Sequence, residues 1–398
     1  MKNFYQYKGI ALLAAVLFLT ACTFAGPSKS LFLERLGFDQ YPHFFDYWYY
    51  DNLEHSIQKS ISYLQRIPQD RLFSFDQDQY DAAHLIRSFE IFSKFIKTCP
   101  SRSELRDFIA ANYQVYRSVG HNFSGKVLFT GYYEPFLQGS HKKSKAYPYP
   151  VYAIPNDLVT IDLGKFDSSL QGKRITGRHI GQTIIPYYNR KEITALSDFK
   201  KTAQPLAYVD NQIDLFFLQI QGSGKIFMDN GQVINVHYHC SNGRSYRSIG
   251  QLLIKEGKIP RDLMSMQSIR RYLKDNPGEI DRILNYNQSY VFFKIEEKGP
   301  LGSLNVQLTP GRSLATDRRI FPLAALAYLE TRIPLIDGDE KIYDWENFSG
   351  FFMNQDTGGA IKGTGRADLF FGSGPYAKTA AGHLQHNGQL YFLILNKN

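Results

Sequence analysis

The chain has 398 residues, of which 43% are hydrophobic, and 46 Lys and Arg stand against 37 Asp and Glu for a net charge of +9. That supplies one large core or two smaller ones, and the positive excess suits an anionic partner: nucleic acid, lipid headgroups or an acidic polymer. No repeat period and no low-complexity segment appears.

The first residues point to a compartment. Lys2 and Lys8 form a charged n-region, and Ile10 to Leu19 is an apolar h-region too short to span a bilayer. Leu19-Thr20-Ala21-Cys22 then resembles the lipobox of bacterial lipoproteins. In that class the cysteine is lipidated and becomes the first mature residue. The expectation is a signal peptide over 1–21, a mature chain from Cys22 and a lipid anchor; the alternative is an ordinary signal peptide containing a cysteine. Thr23 after the cysteine, where Asp is absent, favours the periplasmic face of the outer membrane. This address excludes nucleic acid and leaves the anionic cell wall. Two further cysteines, Cys99 and Cys240, either pair, which the periplasm permits, or stay as separate thiols.

Residues 27 to about 120 read as mainly helical. Asn52 to Arg66, Ala83 to Lys97 and Ser101 to Tyr116 repeat apolar residues at helical spacing, with Pro68 and Pro100 between them. From Lys126 the texture changes to short β-rich runs broken by glycine and proline. These are VLFTGYYEP from Val127, YPYPVYAIP, GQTIIPYYNRKEI and LAYVDNQIDLFFLQIQGSGKIFM. Helical pieces interrupt at Tyr246 to Glu256 and Ser265 to Lys274. Strands resume at Ser289, Pro300 to Leu308, Ile320 to Thr331 and Gln389 to Leu395. The pattern predicts an α+β, mainly β architecture of N-terminal helices with two barrel-like modules.

The stretch Asn354 to Gly374, NQDTGGAIKGTGRADLFFGSG, separates Asp356 and Asp368 by a run of small residues and follows them with Leu369, Phe370 and Phe371. Glycines let a ligand approach the backbone, and a carboxyl beside apolar residues becomes a general acid when burial raises its pKa. Alternatively, both aspartates cap turns. Gln219 and Gln221 end an apolar run expected as a strand, where alternation puts both amides on one face. With Ser223 they suit sugar hydroxyls and acetamido groups, or form a solvent-facing edge. Glu134 in GYYEP reads the same two ways. His237, His239 and Cys240 lack a third and fourth clustered ligand, so no metal is expected. Ser223 and Ser313 lie outside any G-x-S-x-G elbow, and neither a P-loop nor a Rossmann fingerprint appears. Carboxylates among polar and aromatic residues remain, the inventory of a glycan-cleaving site.

FTGYYEP, LFFLQIQGSG, YRSIG, MSMQSIR, LTPGRSLATDRRIFPL and QDTGGAIKGTGRADLFFG, in this order from about Lys126 to Phe392, resemble the membrane-bound lytic murein transglycosylase A family. The last two resemble its 3D domain, named for three aspartates, here Asp317, Asp356 and Asp368. The resemblance implies a double-psi β-barrel built from residues 22–135 and 289–398, a second β-barrel inserted at 136–288, and a glycan groove between them. It implies cleavage, without water or cofactor, of the β-1,4 bond between N-acetylmuramic acid and N-acetylglucosamine, leaving a 1,6-anhydro end. Asp368 then matches the catalytic acid and base, protonated at the start through its apolar neighbours. Asp356 is supporting and Asp317 structural. Thr130, Tyr133, Gln219, Gln221, Ser223 and Lys362 are the expected substrate-binding residues. Glu134 rivals Asp368 as the acid. Phe371 stands where tryptophan is common, and Ala367 before the aspartate is a second departure. Expected partners are peptidoglycan strands, the membrane through lipidated Cys22, and cell-wall synthases. The competing readings are a hydrolase of the same bond, with Asp356 or Glu134 activating water, and a non-catalytic peptidoglycan-binding lipoprotein.

Overall fold

A computed structural model describes residues 32–397; the expected signal peptide and Cys22 lie outside them. The helix Leu53–Leu64 buries Leu53, Ile57, Ile61 and Leu64, one face at a spacing of three to four. Ala82–Ile96 starts where the Asp81 carboxylate accepts the His84 N–H at 2.8 Å and buries Leu85, Phe89, Phe92 and Ile96. Arg102–Asn112 opens with a reciprocal Ser101–Glu104 capping box. This helix stops earlier than its periodicity predicts, because Tyr113–Ser118 pairs instead with Gln385–Leu395 and joins a sheet.

That sheet has eight strands in the order Leu33–Arg35, Tyr113–Ser118, Gln385–Leu395, Leu326–Ile336, Ile342–Asp356, Ser313–Ala315, Arg366–Ser373 and Val127–Glu134. Gln385–Leu395 also pairs with Val127–Glu134, which closes the last six into a barrel. Two of its pairings are parallel, Arg366–Ser373 with Val127–Glu134 and Ser313–Ala315 with Ile342–Asp356. Those parallel pairs bring segments far apart in sequence side by side, as a double-psi barrel requires. Its interior merges with the N-terminal helices into one core containing Phe89, Phe92, Tyr113, Phe129, Tyr328, Phe351 and Phe392.

From Phe136 the chain builds a second six-stranded sheet, ordered Val291–Glu296, Val233–Ser241, Ser223–Met228, Phe136–Ser140, Pro205–Val209 and Tyr149–Tyr152. A bridge between Ala153 and Phe293 joins its two edges, around a core of Leu137, Val151, Val209, Leu218, Ile226, Val236 and Phe293. The fold is α+β, mainly β, with a double-psi barrel and a second barrel as expected. The expected return at residue 289 is corrected: Val291–Glu296 still pairs with Val233–Ser241, so the second sheet extends to Glu296.

Three further expectations are corrected. The run DLFFLQIQ is not a strand but the helix Gln212–Gln221, started by Asn211 capping Ile213 and Asp214 and ended by Gly222 at φ +82°. Its Leu215 and Leu218 face the barrel core while Ile213, Phe216 and Phe217 face a helical cluster. A helix buried on both sides loses its polar stripe and reads like a buried strand. GQTIIPYYNRKEI gives strand only at Thr183–Pro186, and Arg190–Ala195 is a helix capped by Asn189 and Glu192. Pro300 to Leu308 forms no strand, only a bridge between Leu301 and Gln307.

Candidate active site

Asp368 lies mid-strand, opposite Thr130 in the parallel pairing and opposite Ala315 in the antiparallel one. The Thr130 hydroxyl donates to Asp368 Oδ1. Arg366, two residues earlier and on the same face, donates from Nε to that oxygen at 3.3 Å and from Nη2 to Thr130 Oγ1 at 3.2 Å. The Asp368 side chain keeps 14% exposure, and its Oδ2 takes no hydrogen bond among the described residues. One oxygen is thus held and the other is left for a ligand. Gly131 sets the strand in place: a Cβ there would lie 2.7 Å from Ala381 Cα and 2.7 Å from the Phe371 ring. Phe371 itself is buried in the core. The residue at the family's tryptophan position therefore packs inward and does not present a sugar-stacking face.

Ala315 pairs with Asp356 on one side and Asp368 on the other, which puts the two aspartate backbones two strand spacings, about 10 Å, apart. Asp356 Oδ1 accepts the N–H groups of Ser303 at 2.9 Å and Thr357 at 2.8 Å. Burial pushes its carboxyl up to about 6; the two N–H donors oppose that shift, and the Asp368 charge adds to it. The buried Tyr132 hydroxyl faces Asp356, and burial, with the charge of that carboxylate and a hydrogen-bonding interaction with it, holds the phenol well above its ordinary range. Asp317 is different. It is buried, accepts the Arg319 guanidinium at 2.9 and 2.6 Å, and also accepts the Gly363 N–H at 3.0 Å. Burial alone raises its pKa, but those donors win and bring it down to about 2. It clamps the loop before Asp368, a structural role.

The expected binding residues divide. Gln221 Oε1 accepts the Tyr133 N–H at 3.0 Å, so the second module touches the Val127–Glu134 strand three residues from Thr130. Ser223 follows at the start of its strand and is half-exposed. Lys362 is exposed in the glycine-rich loop and forms no ion pair among the described residues. Gln219 is corrected: it is 3% exposed and its amide oxygen accepts from Arg190, whose other donors reach Asn287 O at 3.1 Å and Ser289 O at 2.7 Å. The helix turns it inward, away from Gln221. Tyr133 is corrected too, since its side chain is buried in the core and only its N–H serves the site. Strand alternation puts Tyr132, not Tyr133, on the face of Thr130. The same alternation marks Arg366 beside Asp368, a functional side chain left unassigned above. Glu134 lies four residues beyond Thr130, roughly 13 Å along the strand, where Lys225 Nζ holds it at 3.2 Å. Cys99 and Cys240 are separate free thiols.

Residues 128–294 match the family model of the MltA specific insert domain, and residues 312–394 match that of the 3D domain. Membrane-bound lytic murein transglycosylase A of Escherichia coli K12 is 35% identical over 274 residues, covering 68% of this chain and 66% of that protein. The Vibrio cholerae protein of the same name is 30% identical over 284 residues, 70% of this chain and 68% of its own length. The match thus spans about two thirds of these relatives. The crystal structure of a membrane-bound lytic murein transglycosylase from Agrobacterium tumefaciens superposes with a TM-score of 0.74 at 26% identity, covering 92% of this chain and 98% of that one. Escherichia coli MltA with bound chitohexaose gives 0.65 at 27%, covering 86% and 90%. With the insert and 3D family models both matched and the Vibrio cholerae relative 30% identical over 68% of its length, this chain belongs to the membrane-bound lytic murein transglycosylase A family.

Proposed function

We propose that this protein is a lytic transglycosylase of peptidoglycan, working with Asp368 as its one acid and base. The carrying observation is how the three candidate carboxylates are engaged. Asp368 Oδ1 is fixed by Thr130 and Arg366 with Oδ2 left over. Asp356 Oδ1 is likewise held, by two backbone N–H groups, and Glu134 is buried against Lys225, so the contacts with both Thr130 and Arg366, rather than a left-over oxygen alone, single out Asp368. In its acid form Asp368 gives the Oδ2 proton to the glycosidic oxygen as the C1–O bond breaks. The C6 hydroxyl of the same N-acetylmuramic acid then closes on C1 and returns its proton to Oδ2. No second carboxylate is needed to activate water. The Gln221 amide nitrogen, the Ser223 hydroxyl and Lys362 would hold the sugars. A lipidated Cys22 would tether the enzyme to the periplasmic face of the outer membrane, in reach of the wall and its synthases.

The test is mass spectrometry of muropeptides released from purified peptidoglycan. The parent protein is expected to yield 1,6-anhydro ends, and Asp368→Asn to lower their rate by about a thousandfold. Reducing ends, one water heavier, would mean a hydrolase. No product from either protein would mean a wall-binding lipoprotein.

A further inference from the structure

The chain passes between its two modules twice, and both crossings meet at one buried carboxylate. It leaves the first barrel at Glu134 and enters the second at Phe136; it returns after Glu296 through Gly299. Lys225 ties the outgoing crossing: its N–H donates to Pro135 O at 2.9 Å and its Nζ lies 3.2 Å from Glu134 Oε2. The returning crossing lies on the other oxygen, for a Cβ on Gly299 would lie 3.7 Å from Glu134 Oε1. Asn235, from the second barrel, reaches the same place and donates to Glu297 O at 3.3 Å. Glu134 is 3% exposed, and Oε1 has no donor. Lys225, at 31% exposure, belongs to the strand that begins with Ser223, two residues away.

We infer that Glu134 is a positioning residue: its pairing with Lys225 pins the outgoing crossing, against which the returning one packs, and so fixes the Gln221–Ser223 wall against the Thr130–Asp368 wall. The inference rests on the reading of the groove between those walls as the glycan site. An ion pair at this seam is directional, so its loss lets the second module shift by small rotations. Those rotations move Ser223, about 7 Å along the strand from Lys225, but leave the Thr130, Arg366 and Asp368 contacts, which lie within the first barrel.

The experiment measures chitohexaose affinity by calorimetry, and KM and kcat on peptidoglycan, for the parent, Glu134→Gln, Lys225→Gln and the double variant. Glu134→Gln is expected to weaken chitohexaose binding and raise KM by about tenfold, the scale of one charge-assisted hydrogen bond, with kcat within about twofold. Lys225→Gln should do the same, and the double variant should be no worse than either, because both remove one pin. Lys225 faces solvent enough to keep this arm usable if Glu134→Gln does not fold. Asp46→Asn, which weakens a buried pair with Arg312 outside the seam, controls for lost stability: it lowers Tm and leaves affinity unchanged. A collapse of kcat at unchanged affinity would make Glu134 a proton carrier and overturn the inference. Unchanged affinity and KM in both single variants would overturn it as well. Absence of anhydro products from the parent would remove the proposed reaction but leave the binding comparison standing.

Discussion

The two walls of the proposed glycan groove are built on opposite plans. The first barrel places Thr130 and Asp368 within paired strands, and Arg366 at the start of the Asp368 strand donates to both, so the three side chains fix one another. The second module offers Gln221 from a helix end and Ser223 from a strand start, and it is tied to the first barrel by the Gln221–Tyr133, Lys225–Pro135 and Gln267–Lys378 hydrogen bonds and the Glu134–Lys225 ion pair. Proton transfer tolerates little misplacement, whereas grip on a long polymer is spread over many contacts. On the proposed assignment the chemistry sits on the stiff wall and the grip on the wall that can be retuned.

The largest expected effect falls on the scaffold behind the stiff wall. Arg312 and Asp46 form a bidentate pair at 2.6 and 2.8 Å, both side chains 1% exposed, fastening the N-terminal segment to the barrel. Asp46→Ala strands the guanidinium and should cost about 3–5 kcal/mol in denaturant unfolding, with kcat unchanged wherever the protein stays folded. Equal loss of kcat would blur scaffold and site. Next comes Thr130→Val, which removes the hydroxyl from Asp368 Oδ1. A loss of about 1.5–3 kcal/mol of transition-state stabilisation is expected, read as kcat falling about 10- to 100-fold at constant KM. A pure KM effect would contradict the division of labour.

The two supporting aspartates give a pH test of opposite signs. Asp317 is held down to about 2, so folding binds fewer protons than unfolding below pH 4. Its stabilisation is complete above the unfolded pKa and is lost as pH falls from about 4 toward 2, by about 2 kcal/mol. Asp356 is pushed up to about 6, so its contribution runs the other way and stability declines as pH rises from about 4 to 6. Asp317→Asn should erase the acid-side slope and Asp356→Asn the slope between 4 and 6 in pH-dependent urea midpoints; unchanged slopes would break the assignment. The smallest effect is Ser223→Ala, where loss of one half-exposed hydroxyl should raise KM by a few-fold, about 0.5–1.5 kcal/mol, and leave kcat alone.

What the sequence reveals follows the range of the interactions. The N-terminal helices are legible because each carries a one-sided apolar stripe and a local cap such as Asp81 or Ser101. Gln212–Gln221 is not, because cores on both faces hide its period. Asp368 is reached through motif resemblance, and Arg366 was within reach of simple alternation. The placement of Asp356 and Asp368 on either side of Ala315 depends on two long-range registers that no local pattern encodes. The pairing of Glu134 with Lys225 is hidden for the same reason: its partners meet only after an entire barrel begins to form between them.

The most direct test of the central claim is cleavage of peptidoglycan in water enriched with heavy oxygen. Intramolecular closure by the C6 hydroxyl predicts anhydro-muropeptides that carry no label at the new end. Label appearing at C1 of the released muramic acid would show that water, not the sugar's own hydroxyl, attacks, and would contradict the account.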